Sequence, residues 1–319
     1  MRENKVVYGL IGYGGMGRWH TEILSNVSEA VIGGIYDIKK EKREEAKEKG
    51  FFVYETEEAM LADPDIDVVL IATPNDCHKP IAIRAMHAGK NVISEKPVTL
   101  SSADLLEMEH AAKETGKLLT VHQNRRWDDD FLIIKKLVEE QKLGHVFRIE
   151  SRVHGSRGIP GDWRKEKVHG GGMVLDWGVH LLDQILYMYG DRKIETVYAS
   201  LTNVTNQEVD DGFTAILTFE GGTEVLVEVG TNNYISLPRW YVLGEDGTAV
   251  IRDWQLNGEI IRKTGRTEET VVPVKTAAGL TKTMAPRRED TIVKEDLPKV
   301  SGDIADFHRN VVAVIRDGA

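Results

Sequence analysis

Three glycines in the spacing G-x-G-x-x-G constrain this chain more than any other feature: Gly12, Gly14 and Gly17. The apolar residues 5–12 are typical of a buried strand, and residues 16–25 have the pattern of a helix. In this setting the first glycine permits a tight turn, the second lets the backbone approach a pyrophosphate, and the third lets helix and strand pack closely. A helix N-terminus also offers free N–H groups to phosphate. We therefore predict a dinucleotide site made by Gly12, Tyr13, Gly14, Gly15, Met16 and Gly17.

Asp37 lies about 20 residues beyond the last glycine, at the end of a predicted strand over residues 30–37. A carboxylate at this place accepts hydrogen bonds from ribose hydroxyls and repels a 2′-phosphate, which favours NAD over NADP. The neighbouring Lys39 and Lys40 act in the opposite sense, because a cation accommodates a phosphate. The alternative is that Asp37 caps the following helix.

Strand-like and helix-like segments alternate as far as residue 122, which predicts a parallel sheet with right-handed crossovers. Beyond residue 124 strand patterns dominate, apart from helices predicted at residues 131–140, 173–189 and 304–315 and a loop at residues 275–301. The fold class is therefore α/β. We expect a doubly wound Rossmann domain over residues 1–124 and an α+β domain with a large, mostly antiparallel open sheet over residues 125–319.

Composition excludes several classes of protein. The formal net charge is −10, so nucleic acid is not an expected partner. Cys77 is the only cysteine, which rules out an intrachain disulfide, and the histidines lack the spacing of a metal site. The apolar runs are too short to cross a membrane, and the first residues lack the apolar core of a signal peptide. We expect a cytoplasmic protein without a metal.

Several short motifs occur in addition to the glycines: Ala72-Thr73-Pro74-Asn75, His78, Ala88-Gly89-Lys90, Glu95-Lys96-Pro97, Asn124-Arg125-Arg126-Trp127-Asp128 and the segment 170–183. Together with the glycines, these motifs resemble those of the Gfo/Idh/MocA oxidoreductases. Residues 124–128 resemble in particular the subgroup around scyllo-inositol dehydrogenases. The resemblance implies a cis Lys96–Pro97 bond. Family members usually continue some tens of residues past the helix near Arg316, which implies that a C-terminal helix is incomplete.

The predicted helix over residues 173–189 carries a polar stripe on an otherwise apolar surface: Asp176, His180, Asp183 or Gln184, and Tyr187. Such a stripe faces an internal hydrogen-bond network, a wet cavity, or solvent along a single edge of the helix. The resemblance favours the cavity. His180 is then the general base, with Asp176 orienting the substrate or the imidazole. Lys96, at the carboxyl end of a strand, would polarise the substrate oxygen.

Further contacts are expected around these three residues. Thr73, Pro74, Asn75, His78, Glu95 and Lys96 are predicted to contact the cofactor, although His78 could instead cap or pack against the next helix. Trp163 and Arg164 resemble a pair that lies near the cofactor in relatives, with a surface role as the alternative. The candidate substrate residues are Lys96, Asn124, Arg126, His154, Asp176 and His180.

The resemblance implies an NAD(P)-dependent dehydrogenase that oxidises a secondary hydroxyl of a cyclic polyol or sugar. Three alternatives remain open at this point: a reductase acting on a keto-inositol or osone, an NAD-dependent glycoside hydrolase, and a non-catalytic NAD-bound sensor. The strands over residues 214–219 and 224–229 are apolar on part of both faces, so we expect a homodimer or homotetramer that associates through the second domain's sheet.

Overall fold

A computed structural model describes residues 5–266 and 271–318. The first domain contains a sheet of five parallel strands in the order β2-β1-β3-β4-β5. The strands are Val6–Ile11 (β1), Ala30–Tyr36 (β2), Val68–Ile71 (β3), Asn91–Glu95 (β4) and Leu119–His122 (β5). This arrangement confirms the predicted Rossmann sheet.

Helices cover both faces of this sheet, which is why its strands are apolar runs. They are Gly15–Ser25 (α1), Lys40–Glu48 (α2), Glu57–Ala62 (α3), His78–His87 (α4) and Ser102–Thr115 (α5). Strand β1 shows the two-sided burial: Tyr8 and Leu10 enter the core beneath α1, while Val7 and Ile11 enter the core beneath α4 and α5. Helix α3 was not predicted. Thr56 caps it by accepting a hydrogen bond from the Ala59 N–H.

The second domain contains an eight-stranded open sheet in the order β15-β12-β11-β10-β6-β9-β8-β7. Only the pair β6–β9 is parallel, so the predicted mostly antiparallel sheet is confirmed. The strands are Val146–His154 (β6), Ile194–Thr202 (β7), Gly212–Phe219 (β8), Glu224–Gly230 (β9), Trp240–Gly244 (β10), Gly247–Ile251 (β11), Gly258–Lys263 (β12) and Ile292–Glu295 (β15), and a separate hairpin is formed by Val274–Thr276 (β13) and Gly279–Thr281 (β14). The loop predicted over residues 275–301 is therefore wrong where β14 and β15 lie.

One face of the large sheet is covered by Asp129–Glu139 (α6) and Val179–Tyr189 (α7). Residues of β8 and β9 alternate between buried and half-buried positions, and the buried ones, such as Val227 and Leu217, form the core with the helices. The opposite face is mixed in character, because Arg152 of β6 pairs there with Glu228 of β9. Among the described residues, no helix combines the length and apolar character needed to cross a membrane.

The last helix, Ala305–Asp317 (α8), returns to the first domain. Its residues Phe307, Val311 and Val312 belong to the same buried cluster as Tyr8 and Leu10 of β1. Although it follows the second domain along the chain, this helix packs against the first domain, so the predicted boundary at residues 124/125 stays a prediction that does not describe this contact. The sequence shows an amphipathic helix here but not the surface that its apolar face covers.

Candidate active site

The glycine-rich turn between β1 and α1 has the geometry that its sequence predicted. Gly12 adopts φ +97°, and a Cβ there would lie 2.5 Å from the Ala72 carbonyl oxygen. A Cβ on Gly17 would lie 2.1 Å from the Gly12 carbonyl oxygen. A Cβ on Gly14, by contrast, would meet no atom within 4 Å, so the backbone here borders open space. Since no side chain caps α1, the turn fits a dinucleotide pyrophosphate.

Asp37 lies beside this turn. Its carboxylate accepts one hydrogen bond from the Tyr13 N–H at 2.7 Å and another from the Lys39 N–H at 2.8 Å. Lys39 is itself the N-cap residue of α2, and that helix has no side-chain cap, so the alternative of a conventional cap does not apply. Each carboxylate oxygen retains a lone pair for a ribose hydroxyl. Arg43 donates to the Asp37 carbonyl oxygen at 2.8 Å and brings a positive charge close.

Lys96 and Asp176 meet across the interface between the two domains. The Lys96 Nζ donates to the Asp176 carbonyl oxygen at 2.8 Å and to its Oδ1 at 3.1 Å. The other carboxylate oxygen accepts from Arg164 Nε at 3.1 Å. Burial lowers the pKa of the Lys96 ammonium, and the charge of Asp176 opposes that effect. The Lys96–Pro97 peptide bond is cis, as the resemblance implied.

His180 lies one turn beyond Asp176 and is 4% exposed. Its Nδ1 atom has no hydrogen-bond partner within the described ranges, and its ring makes an edge contact with Trp177 at 5.9 Å. Burial, followed by the positive charges of Lys96 and Arg125, holds the pKa of His180 well below its ordinary value. The ring is therefore neutral at physiological pH and able to accept a proton. Lys96, Asp176 and His180 thus converge on one site.

The backbone that carries Asp176 is not a regular α-helix. Val174–Gly178 forms a π-helical turn that continues into α7, in place of the predicted single helix. Asp210 caps this turn by accepting hydrogen bonds from the Met173 and Val174 N–H groups at 2.8 and 2.9 Å. π-turns occur preferentially at functional sites, because the extra residue redirects neighbouring side chains.

Several buried polar atoms on α7, which carries His180, and on the segment beside it have no hydrogen-bond partner within residues 5–266 and 271–318. The buried atoms in question are Gln123 Oε1, Asn124 Oδ1, Arg125 Nε and Gln184 Oε1, all unpaired in the part of the chain that the structure describes. Gln184 Nε2 donates to the Arg125 carbonyl oxygen at 2.6 Å, so α7 and the turn at Asn124–Trp127 lie side by side. Buried polar atoms usually have partners, and a cluster of unpaired ones indicates a place for a polar ligand. The sequence singled out Asn124 but missed Gln123 and Arg125.

The remaining predicted cofactor residues lie at the same end of the first sheet. Asn75 is buried and its Nδ2 donates to the Gly170 carbonyl oxygen at 3.1 Å, which links the domains. Thr73 and Pro74 precede it in the loop after β3. The Arg164 guanidinium lies 4.5 Å from the Trp163 ring centroid, in a short 3₁₀ turn.

Four of the predicted contact residues already have partners within the protein. His78 is fully buried, with its ring nitrogens 2.9 and 3.0 Å from the carbonyl oxygens of Pro97 and Thr73. Arg126 makes a two-point ion pair with Asp183 at 2.6 and 2.7 Å. His78 and Arg126 are therefore held by neighbouring segments, and their contacts with a cofactor or a substrate stay predictions.

His154 and Glu95 also have partners within the protein. His154 Nδ1 accepts from the Leu237 N–H at 3.2 Å, and its Nε2 lies 3.3 Å from Glu228. The Glu95 carboxylate lies inside the first domain, where Oε1 accepts from His20 at 2.7 Å and from His122 at 2.8 Å. Each side chain is thus engaged within its own domain, and the predicted contacts of both residues with ligands stay predictions.

The structure also brings together three buried histidines that the sequence analysis did not connect. His20 of α1, His122 of β5 and His308 of α8 offer ligand atoms within 4.8 Å of one another. The sequence predicted no metal site, because histidines on three distant segments give no recognisable spacing. The hydrogen bonds to Glu95 show that the same atoms also form a proton-linked network.

Comparison with known proteins agrees with this geometry. Residues 6–123 match the family described as "Oxidoreductase family, NAD-binding Rossmann fold", and residues 131–250 match "GFO/IDH/MocA C-terminal domain". An NAD-binding protein from Listeria innocua has a solved structure that is 50% identical, with a TM-score of 0.94 over 99% of this chain and 91% of that one.

Two curated relatives carry named activities. The scyllo-inositol 2-dehydrogenase (NADP(+)) IolW of Bacillus subtilis is 28% identical over 98% of this chain and 86% of its own length. The myo-inositol 2-dehydrogenase of Thermotoga maritima is 30% identical over 67% of this chain and 65% of its own length. Alignments with four further relatives span about half of those proteins. The chain therefore belongs to the Gfo/Idh/MocA oxidoreductases, and its first domain is their NAD-binding Rossmann domain.

Proposed function

We propose that this protein is an NAD-dependent dehydrogenase that oxidises a secondary hydroxyl of a cyclic polyol or sugar. The observation that carries the proposal is the convergence of Lys96, Asp176 and His180 at the domain interface. A neutral imidazole beside an ammonium is what removal of a hydroxyl proton requires.

His180, Lys96 and Asp176 each have a separate role in this reaction. His180 accepts the hydroxyl proton at a ring nitrogen, and its low pKa keeps that nitrogen free. The Lys96 ammonium stabilises the negative charge that develops on the substrate oxygen. Asp176 holds Lys96 in place and is itself held by Arg164. The cofactor, when bound along the glycine turn, supplies the electron acceptor.

The polyol assignment rests on the unpaired polar atoms of α7 and of residues 123–125 beside it. A ring of hydroxyls offers donors to Gln123 Oε1, Asn124 Oδ1 and Gln184 Oε1, and an acceptor to Arg125 Nε. The named activities of the inositol dehydrogenases among the relatives agree with a ligand of this kind.

The direct test is the absorbance of reduced nicotinamide with a panel of inositols and aldoses. Lys96→Ala and His180→Ala should each lower kcat by about 10²–10⁴-fold while NADH binding persists. Lys79→Ala, which removes a lysine from the surface pair with Asp104, is the matched control and should keep wild-type turnover. Near-normal turnover in either active-site variant would refute the proposal. Absence of any signal in the wild type would favour the hydrolase or the sensor.

We also propose NAD as the preferred cofactor, because the Asp37 carboxylate borders the glycine turn. Asp37→Ser should lower the preference for NAD over NADP, since it removes the charge that repels a 2′-phosphate and leaves Arg43 nearby. The ratio of kcat/KM for the two cofactors measures this. An unchanged ratio would show that Asp37 does not discriminate between the riboses of NAD and NADP.

We further propose that the protein associates through the open face of the large sheet. Outward-facing residues there include the half-buried Leu226 and Ile216 beside the paired charges of Arg152 and Glu228. An extended face of this kind suits a symmetric contact. Light scattering should give a dimer or tetramer, and a monomer would contradict the proposal.

A further inference from the structure

Glu95 occupies an unusual position, because a buried carboxylate is surrounded by histidines directly behind the proposed catalytic lysine. Its Oε1 accepts hydrogen bonds from His20 Nε2 at 2.7 Å and from His122 Nδ1 at 2.8 Å. With Nε2 of His20 donating, its Nδ1 is left as an acceptor, and it lies 3.3 Å from His308 Nε2. The hydrogen bonds therefore run in one direction, from His308 on the terminal helix through His20 to Glu95.

The second carboxylate oxygen connects this chain to the active site. Glu95 Oε2 accepts from the backbone N–H of Lys96 at 3.2 Å. On the other side of the lysine, His78 Nδ1 lies 2.9 Å from the Pro97 carbonyl oxygen. The peptide that carries the Lys96 side chain is thus held from both ends by buried groups.

The charge on Glu95 is not balanced by a direct ion pair with lysine or arginine in the described part of the chain. Burial alone would raise the pKa of Glu95, but the hydrogen bonds from His122 and His20 more than offset it and lower that pKa below its ordinary value. A buried negative charge is costly, and a neutral amide could anchor the same peptide. We therefore expect the charge itself to have a function. The ammonium next to it along the chain is that of Lys96, and the charge of Glu95 raises the pKa of this ammonium.

We propose that Glu95 is a positioning residue for Lys96, and that His308 on the terminal helix maintains Glu95 in its place and charge state through His20. The inference rests on the proposed function, since Lys96 is its target. It assigns a role in the active site to a helix that contributes no group to the site itself.

Other charged groups act on the same two residues. Lys96 faces Asp176 and Arg164 from the second domain in addition to Glu95. Besides its two hydrogen-bond donors, the charge of Glu95 acts on four groups by raising their pKa: His78, Lys96, His180 and His308. Burial, followed by the charges of His20 and His122, lowers the pKa of His308 to about 2, so the terminal histidine stays neutral and acts only as a hydrogen-bond donor.

The test compares three variants of the full chain: Glu95→Gln, His308→Leu and His308→Gln. Glutamine at position 95 keeps the shape and removes the charge. Leucine at position 308 removes the donor within a pocket that includes the rings of Tyr8 and Phe307, whereas glutamine at 308 places an amide N–H near the lost Nε2. The readout is the pH dependence of acetylation of Lys96 by acetic anhydride, followed by mass spectrometry, which needs no turnover.

In Glu95→Gln the midpoint of Lys96 labelling should fall by about one pH unit or more, because an opposite charge close to an ammonium raises its pKa by that amount. In His308→Leu the midpoint should fall by about half a pH unit, since only one neutral hydrogen bond is lost. His308→Gln should restore the wild-type midpoint. The alkaline limb of kcat/KM should follow the labelling in each variant.

The outcomes separate this inference from the proposed function. Midpoints that agree within error across the folded variants overturn the inference, whatever the turnover. Shifted midpoints in a protein that reduces NAD with no polyol support the inference and refute the dehydrogenase. Should Glu95→Gln not fold, the two His308 variants decide, and equal midpoints for leucine and glutamine overturn the proposal. Stoichiometric zinc in the purified protein would overturn it as well, because the histidines would then be ligands.

Discussion

Replacing Asp176 with asparagine tests the proposed site most directly. In the described residues it is the only carboxylate paired with the Lys96 ammonium, at an Nζ–Oδ1 distance of 3.1 Å, and the two side chains are 16% and 14% exposed. Asparagine keeps the size and the oxygen but removes the charge. Because Asp176 opposes the lowering of the Lys96 pKa by burial, its neutral replacement lowers that pKa further.

The size of the effect follows from the geometry. Two unit charges about 4 Å apart interact by about 4 kcal/mol at an effective dielectric constant of about 20. Arg164 shares the same carboxylate and water reaches the pair, so we expect about half of this energy at Lys96. The alkaline limb of kcat/KM, which reports the free protein, should then move to lower pH by about one to two pH units.

The assay is NAD reduction with the most active polyol across the neutral and alkaline range. Asp104→Asn provides the control, because it makes the same exchange in the surface pair with Lys79, where the side chains are 34% and 28% exposed. That variant should leave the limb unmoved. If Asp176→Asn binds NADH normally and its alkaline limb coincides with the wild type, the ammonium is not the group that limits activity and the reasoning fails.

Three further results are expected. Arg125→Met should raise the pKa of His180, because the variant lacks the positive charge that lowers this pKa. The fall of kcat/KM on the acid side should then begin at a higher pH. An unmoved acid limb would exclude His180 as the base. Gly17→Ala should lower the free energy of unfolding by about 1–3 kcal/mol or more, whereas Gly14→Ala should keep wild-type thermal stability and weaken NADH binding; equal melting temperatures would contradict the packing argument. Asp130→Asn should cost about 3–5 kcal/mol in urea unfolding, because it leaves a buried guanidinium unpaired, and a loss under about 1 kcal/mol would refute this.

The sequence predicted best those features that depend on local patterns. The glycine turn is one case, because the positive φ of Gly12 and the close approach at Gly17 leave little choice of residue. Strand β15 was missed because this edge strand, Ile292–Glu295, is partly exposed and lacks a continuous apolar run. Strand β12 was missed because Ile260 is its only buried residue. The π-turn at Val174–Gly178 was also missed, because its apolar residues fit a regular helix equally well.

The site was predictable where one element carries several functional groups. Asp176 and His180 lie on one helical segment, so their spacing was informative. Partners that come from distant elements gave no such signal. The charge of Arg125 acts on the pKa of His180 only because the fold brings the two residues close together. His308 is linked to Glu95 through His20 only because α8 packs on the first domain. The sequence also does not show when a polar residue has its partners within the fold, as His78 has in two carbonyl groups.

The return of the terminal helix to the first domain has a practical consequence for engineering. The nucleotide-binding half cannot be transplanted as a contiguous cassette, because part of its hydrophobic interior is supplied by Phe307, Val311 and Val312, which follow the second domain along the chain. A graft of residues 5–124 alone would leave Tyr8 and Leu10 without that cover. A functional cassette must therefore append this helix through a new linker.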